Sequence, residues 1–218
     1  RIYGITGDSL NSVNDSLRRN GKIAFEHVRH EETAAFAAGA EAALTHKLTV
    51  CAGSSGPGNL HLINGLFDCH RNRVPVLAIA SHIPQSEVGL NYFQETHPEN
   101  LFKECSCFCE LVSNPKQMPE ILFRAMNAAV GNQDVAVIVL PGDVAVMETE
   151  IDELPVWHHP RLPHIVPQRE DIEEMAAHLE KGERITLFCG AGCEGAHDEV
   201  VELAKRLQAP VVHAFRGK

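Results

Sequence analysis

The chain has 218 residues, of which 44% are hydrophobic and 22% are charged, a composition typical of a soluble globular protein with one or two domains. Its net charge of −10 is spread along the chain without a basic stripe, which argues against nucleic acid as a partner. No apolar run approaches the roughly 20 residues that span a bilayer, and no signal peptide stands at the start, so we expect a cytoplasmic protein.

Short apolar runs alternate with helical patterns over the first 150 residues, which predicts an α/β fold with a largely parallel sheet covered by helices on both faces. The predicted strands are 1–5, 23–28, 48–53, 75–80, 109–112 and 135–140. The predicted helices are 9–19, 30–46, 58–72 and 115–131. Because the first residues already form a strand, we expect the sequence to begin inside a domain.

A segment with four prolines and little periodicity, 154–168, is predicted to be a linker. After it the alternation restarts, with helices predicted over 169–181 and 196–208 and strands over 184–189 and 210–215. We therefore predict one nearly complete domain over 1–153 and the start of a second, Rossmann-like α/β domain over 169–218.

The seven cysteines are an odd number in ordinary α/β sequence, which is not the pattern of a disulfide framework. Cys105, Cys107 and Cys109 alternate, so a strand at this place would direct all three to one face. Zinc sites more often space their ligands as C-x2-C. We therefore predict buried, reduced thiols and no metal site.

The first candidate site lies in RHEETAAFAAGAEAALT, 29–45, where Glu31 and Glu32 open a helix. Acids in a first helical turn complement the helix dipole, and this alone explains their position. The alanines and glycine that follow, however, indicate close packing against another body. Burial of a carboxylate at such an interface favours its protonated form, which suits a proton-transferring acid.

The second candidate is AGSSG, 52–56, which is close to the nucleophile elbow G-x-S-x-G between a strand and a helix. Ala52 replaces the first glycine, and Pro57 with Gly58 is expected to delay the helix. A serine hydrolase also needs a catalytic acid and a catalytic histidine later in the chain, and no sequence pattern identifies either of them. This function therefore fits poorly.

The third candidate is CGAGCEG, 189–195, in which three glycines satisfy G-x-G-x-x-G between a strand and a helix. The acid expected about twenty residues later, which would hold a ribose hydroxyl, is missing. Three alternatives stay open: an NAD-dependent dehydrogenase with unusual geometry, a non-catalytic nucleotide-binding module, and a glycine-rich corner without a ligand.

Five segments in chain order resemble the thiamine-diphosphate-dependent 2-oxo acid enzymes, and most closely the flavin-containing branch of pyruvate dehydrogenase (quinone) and pyruvate oxidase. They are RHEETAAFAAGAEA, CAGSSGPGNLHLINGLFDCHRNRVPVLAIA, YFQETHPENLF, VIVLPGDVA and HAFRGK. The resemblance implies a pyrimidine-binding domain without its first helix, followed by the start of a central FAD-binding domain. It also implies that the Mg²⁺ and diphosphate ligands lie in a C-terminal domain outside this sequence, so these residues alone are expected to be inactive.

The resemblance also assigns roles to individual residues. Glu31 is implied to hydrogen-bond the pyrimidine ring of thiamine diphosphate and to move the proton that activates this cofactor, whereas Glu32 has no assigned role. The backbone that contacts this ring is implied to be that of Gly56, Pro57, Gly58 and Asn59. Ser54 and Ser55 therefore need not be nucleophiles. Residues implied near the reacting centre are His61, Phe93 and Gln94, with loop anchoring as the alternative for Phe93. The FAD-binding residues implied are Gly190, Gly192 and Cys193.

The activity implied is that of a pyruvate:quinone oxidoreductase, which decarboxylates pyruvate to acetate and CO2 and passes two electrons through FAD to a quinone. Within the family, the alternatives are a pyruvate oxidase that uses phosphate and oxygen, and acetolactate synthase. Because family sites form between two subunits, we expect self-association through the alanine-rich helix face. Any contact with the inner face of the cell membrane is expected through C-terminal residues outside this sequence.

Overall fold

The computed structural model describes residues 1–150, 156–161, 163 and 165–217. The chain divides into two compact units, 1–162 and 163–218. The linker predicted over 154–168 lies partly outside the described residues, and those of its residues that are described form neither helix nor strand. The domain limits at 153 and 169 stay a prediction.

The first unit is built on a six-stranded sheet in which every neighbouring pair of strands is parallel. Its strands are β1 (Ile2–Gly4), β2 (Phe25–His27), β3 (Thr49–Gly53), β4 (Val76–His82), β5 (Phe108–Leu111) and β6 (Val135–Pro141). They lie in the order β2-β1-β3-β4-β6-β5. The predicted α/β class with a parallel sheet is confirmed.

Helices cover both faces of this sheet. They are α1 (Asn11–Asn20), α2 (Glu31–Thr45), α3 (Pro57–Asn72), α4 (Pro98–Leu101) and α5 (Met118–Asn132). One core lies between the sheet and α2, α3 and α4, and a second lies between the sheet and α1 and α5. The central strands β4 and β6 are buried at every position, which explains why their sequences are apolar except for Ser81 and His82 at the end of β4. Only α4, which is four residues long, has no counterpart among the predicted helices.

The small residues of α2 pack against α3 of the same chain. A Cβ atom placed on Gly65 of α3 would lie 2.5 Å from Cβ of Ala35 and 2.9 Å from the carbonyl oxygen of Glu32. A Cβ on Gly39 would lie 2.6 Å from Sγ of Cys69. The sequence correctly indicated close packing, and within this chain α3 supplies the surface that these small residues contact. Self-association through this face stays a prediction.

The cysteines are all free thiols, but the alternating three do not share a strand face. Because β5 begins at Phe108, only Cys109 of the three belongs to this strand. Cys105 is buried, whereas Cys107 is exposed, which corrects the prediction of burial for that residue. Burial raises the pKa of the Cys105 thiol to about 11 and that of Cys109 to about 12, so both stay protonated at neutral pH.

The second unit has a helix–strand–helix–strand order, as the sequence predicts for this part of the chain. Its elements are α6 (Arg169–Glu180), β7 (Leu187–Cys189), α7 (His197–Leu207) and β8 (Val211–His213). β7 and β8 pair in parallel as a two-stranded sheet. No helix among the described residues of either unit is long and apolar enough to cross a membrane.

Candidate active site

The candidate site of the first unit lies where β2 and β3 end and where α2 and α3 begin. Parallel strands place their carboxyl ends at one edge of a sheet, which is where open α/β sheets bind ligands. α2 begins at Glu31 after β2, and α3 begins at Pro57 after β3. Both helices therefore direct the positive ends of their dipoles to this edge.

Glu31 is the buried carboxylate at this edge. The residue is 8% exposed, and its Oε2 lies 3.0 Å from Nδ1 of His61. Since a carboxylate accepts hydrogen bonds, Nδ1 of His61 carries the hydrogen in this contact. The other oxygen, Oε1, lies 3.1 Å from the point that a Cβ on Gly58 would occupy. Glycine at position 58 thus leaves the space beside Oε1 open.

Two imidazoles stand beside Glu31. Nδ1 of His30 accepts a hydrogen bond from the backbone N–H of Glu32 at 3.3 Å and so caps α2. The rings of His30 and His61 are stacked, with their centroids 4.3 Å apart. Potential ligand atoms of His30, Glu31 and His61 lie within 4.8 Å of one another, the one such group of three in the described part of the chain. Two nitrogens and one oxygen suit zinc better than Mg²⁺, which prefers oxygen ligands.

The turn between β3 and α3 contains Ser54, Ser55 and Gly56. Gly56 has a φ of +65°, which favours glycine, and a Cβ on it would lie only 2.9 Å from the carbonyl oxygen of Gln94. The hydroxyl of Ser54 contacts that of Ser9 at 3.0 Å, and Ser55 donates to Oε1 of Gln94 at 3.0 Å. Neither hydroxyl contacts an imidazole in this arrangement, so the structure does not support a serine nucleophile.

Two buried polar atoms near the same edge have no hydrogen-bond partner among the residues that the structure describes. Asn59 is fully buried, and its Nδ2 donates to the carbonyl oxygen of Ser81 at 2.7 Å while its Oδ1 has no partner. His82, the last residue of β4, is 4% exposed, and its Nδ1 is also unpaired among the described residues. Unpaired buried polar atoms are costly and often indicate a missing polar ligand or water.

Sequence reasoning did not select His82. Burial lowers the pKa of this histidine, so its imidazole is neutral at pH 7. The sequence feature that could have identified His82 as a site residue is the polar pair Ser81 and His82, which directly follows the apolar residues of β4. In a parallel sheet such a pair lies at the carboxyl edge, where ligands bind.

The loop between β4 and α4 carries Phe93 and Gln94, and these two residues have different environments. Gln94 lies against the turn at Ser55 and Gly56. Phe93 is 82% exposed and lines a polar cavity of about 730 Å³ together with Glu95 and His97. Its ring lies 5.1 Å from that of Tyr92 in the same loop, so both predicted roles of Phe93 stay predictions.

In the second unit, the three glycines of the G-x-G-x-x-G pattern lie between β7 and α7, as predicted. A Cβ on Gly190 or Gly192 would meet no atom within 4 Å, so the backbone at both positions faces open space. Cys193, which is partly buried, ends a short 3₁₀ turn in the same loop. Among the described residues, none lies close enough to require glycine at positions 190 and 192, which fits a loop that a ligand approaches closely.

Comparison with known families matches two parts of the chain. Residues 1–101 match the N-terminal TPP binding domain of the thiamine pyrophosphate enzymes. Residues 172–218 match the central domain of thiamine pyrophosphate enzymes.

Several curated relatives align with the whole chain, including the following three. An uncharacterized 42.6 kDa protein from the isoamylase 3' region of Pseudomonas amyloderamosa is 60% identical, and the chain covers 55% of its length. The putative thiamine pyrophosphate-containing protein YdaP of Bacillus subtilis is 36% identical, with 38% of its length covered. The pyruvate oxidase of Lactiplantibacillus plantarum is 32% identical, with 36% covered. The chain thus spans about half or less of the length of these relatives.

Proposed function

The chain belongs to the thiamine pyrophosphate enzymes, and we propose that the whole protein is a thiamine diphosphate-dependent pyruvate:quinone oxidoreductase. In this proposal it decarboxylates pyruvate to acetate and CO2, and two electrons pass through FAD to a quinone. We place it in the cytoplasm as a homo-oligomer, with any membrane contact made by residues outside this sequence.

The observation that carries this proposal is the environment of Glu31. Its carboxylate is buried at the start of α2, with Oε2 hydrogen-bonded to His61 and Oε1 kept accessible by Gly58. A carboxyl group held in this way offers one free oxygen for a proton shared with a nitrogen heterocycle. This is the chemistry that the pyrimidine ring of thiamine diphosphate needs.

The residues at the edge of the sheet fit thiamine diphosphate. Glu31 would hydrogen-bond the pyrimidine ring, and the backbone of residues 56–59 would form the wall beside it. The unpaired Oδ1 of Asn59 and Nδ1 of His82 are further polar groups suited to a bound ligand or its water. When bound, thiamine diphosphate supplies the carbon nucleophile and the electron sink that decarboxylation requires.

Each side chain of the site has a separate task in this proposal. Glu31 holds and moves a proton at Oε1, and such acid–base assistance typically contributes about 10²–10⁴-fold in rate. His61 keeps the carboxylate in place through Oε2. Gln94 presents its amide to the substrate, while Phe93 is an exposed apolar side chain suited to exclude water once it is covered.

FAD is proposed for the second unit. The backbone at Gly190 and Gly192 is open to close approach by a diphosphate, next to Cys193. The missing ribose-binding acid argues against the usual NAD geometry. We place the Mg²⁺ and diphosphate ligands outside this sequence, because the one three-ligand cluster of the described residues surrounds Glu31 and contains two nitrogens.

A second candidate is a pyruvate oxidase that uses phosphate and oxygen, which the relative of that name in Lactiplantibacillus plantarum favours. Acetolactate synthase is a third, because a protein of that name in Arthrospira platensis is 32% identical, with 39% of its length covered. These candidates differ in the compound that receives the two-carbon unit and in the electron acceptor. They are therefore separated by their products.

The test uses the full-length protein loaded with thiamine diphosphate, Mg²⁺ and FAD and supplied with pyruvate. We expect acetate in amounts equal to the reduction of a short-chain ubiquinone analogue. Acetyl phosphate with hydrogen peroxide would support the second candidate instead, and acetolactate the third. Failure to release CO2 from any 2-oxo acid would refute the proposal as a whole.

A further inference from the structure

The turn at residues 54–56 supports the loop that carries Gln94 through two independent contacts. The side-chain hydroxyl of Ser55 donates to Oε1 of Gln94 at 3.0 Å. The main chain at Gly56 lies so close that a Cβ there would be 2.9 Å from the carbonyl oxygen of Gln94 and 3.2 Å from its Cα. Both the backbone and the amide of Gln94 are therefore held by this turn.

Ser55 itself is firmly fixed. It is 3% exposed, and its backbone N–H donates to Oγ of Ser9 at 3.0 Å. The carbonyl oxygen of Ser9 in turn accepts a hydrogen bond from the hydroxyl of Ser81 at 2.7 Å. These contacts connect Ser55 to the chain before α1 and to the end of β4. Water has little access to the Ser55 hydroxyl, so it competes weakly for the contact with Gln94.

We propose that Ser55 is a positioning residue that sets the orientation of the Gln94 amide, so that its NH2 group faces the carboxylate of a 2-oxo acid substrate. An amide has an accepting oxygen at one end and a donating NH2 group at the other. Because Oε1 accepts from Ser55, the two N–H groups of Nε2 are left to other partners, and none is assigned to them among the described residues.

The consequence for specificity follows from charge. The carboxylate of a 2-oxo acid accepts hydrogen bonds only, so it is attracted by a fixed NH2 group. If the amide rotated by half a turn, its carbonyl oxygen would face the same carboxylate and repel it. In the rotated amide the NH2 group would donate to Ser55 Oγ, and the Ser55 hydroxyl hydrogen would lose its acceptor. Because Ser55 is 3% exposed, leaving that hydrogen unpaired is costly, and this favours the observed orientation. This inference rests on the proposed use of a 2-oxo acid.

The test uses the full-length protein, with each variant assayed on whichever 2-oxo acid the wild type turns over fastest. Ser55→Ala should raise KM about 10-fold, since a hydrogen bond to a charged group is lost, while the affinity for thiamine diphosphate stays within about 2-fold. Ser55→Cys, which keeps a weaker donor, should raise KM less. Ser106→Ala is the control, because that hydroxyl donates to the carbonyl oxygen of Phe102 instead.

A double-mutant cycle decides whether Ser55 acts through Gln94. Adding Ser55→Ala to Gln94→Ala should change KM by less than about 2-fold, because the amide is already absent. Independent, multiplying effects would overturn the proposal, as would an unchanged KM in Ser55→Ala or, if that variant does not fold, in Ser55→Cys.

The same assay separates this inference from the proposed function. A wild-type enzyme that prefers another 2-oxo acid refutes pyruvate as the substrate, and the cycle still decides the role of Ser55. A wild-type enzyme that turns over no 2-oxo acid refutes both proposals.

Discussion

At the scale of single residues, the chemistry of this chain depends on contacts between side chains that are far apart in sequence. Glu31 and His61 are 30 positions apart, yet Oε2 and Nδ1 lie within 3.0 Å because α2 and α3 begin at the same edge of the sheet. By contrast, the neighbouring Glu32 is more exposed and accepts a hydrogen bond from the amide of Asn64. Adjacent carboxylates thus have different partners and different exposure.

This difference predicts the effect of Glu31→Gln in the full-length protein. Glutamine keeps the shape of the side chain but cannot hold and release a proton. We expect hydrogen–deuterium exchange at the thiazolium carbon of bound thiamine diphosphate to slow by about 10²–10⁴-fold, or roughly 3–5 kcal/mol of barrier, with little change in folding. Glu32→Gln is the matched control and should slow exchange far less. An exchange rate in Glu31→Gln equal to that of the wild type would exclude this role for Glu31.

His82 predicts how acid affects stability. Burial lowers its pKa in the folded chain, against the opposing effect of Glu99, Glu95 and Asp143, whose carboxylates raise it. In the unfolded chain the pKa is about 6.5. As the pH decreases through this value, the unfolded state binds more protons at position 82 than the native state does. The free energy of unfolding therefore decreases with decreasing pH, and it stops decreasing once the pH is below the lowered native pKa.

Urea denaturation of the 218-residue chain between pH 7.5 and pH 5.5 tests this expectation. His82→Gln removes the titrating group, so the free energy of unfolding should fall less over this interval than it does in the parent chain. Both proteins keep the other twelve histidines, which makes the difference specific to position 82. Equal losses in the two proteins would show that His82 is not buried in its neutral form.

At the scale of elements, the contact between α2 and α3 is the closest helix packing that bears on the site. It depends on small residues on both sides, since a Cβ on Gly65 would lie 2.5 Å from Cβ of Ala35 and 3.0 Å from the backbone nitrogen of Phe36. This contact holds Glu31 and His61, which lie on different helices, at hydrogen-bonding distance. A shift of either helix would therefore change the site.

Gly65→Ala tests this packing. The added methyl group must push α2 and α3 apart, so we expect the free energy of unfolding in urea to fall by about 1–3 kcal/mol. Gly131→Ala in α5 is the control, because a Cβ there meets no atom within 4 Å. That variant should gain up to roughly 0.5–1 kcal/mol from the higher helix propensity of alanine. A gain in both variants would contradict the close helix contact.

At the scale of the whole molecule, the chain covers 36% of the length of the relative named pyruvate oxidase. The activity proposed above is therefore a proposal about the whole protein. The two-stranded sheet of the second unit leaves Phe188 and Val212 exposed, and sheets of two strands are marginally stable alone. We expect the remainder of the whole protein to cover these side chains. Self-association stays a proposal.

The sequence by itself determined the fold class and most element positions, because hydrophobic periodicity and turn residues act locally. It also placed Glu31 at a helix start and Gly56 in a strand-to-helix turn, with α3 beginning at Pro57 instead of Gly58. The assignment of a role to Glu31 came from a family resemblance, because acids at a helix start have a common structural explanation.

Only the tertiary structure decided which partners these residues have. The pairing of Ser55 with Gln94, the packing of the alanine-rich face on α3 and the burial of His82 each join segments that are distant in sequence. Cys107, which directly precedes β5, is exposed, and the alternation of the three cysteines did not indicate this. A local pattern specifies which side chains lie on one face of an element, but what covers that face follows from how the whole sheet and its helices pack.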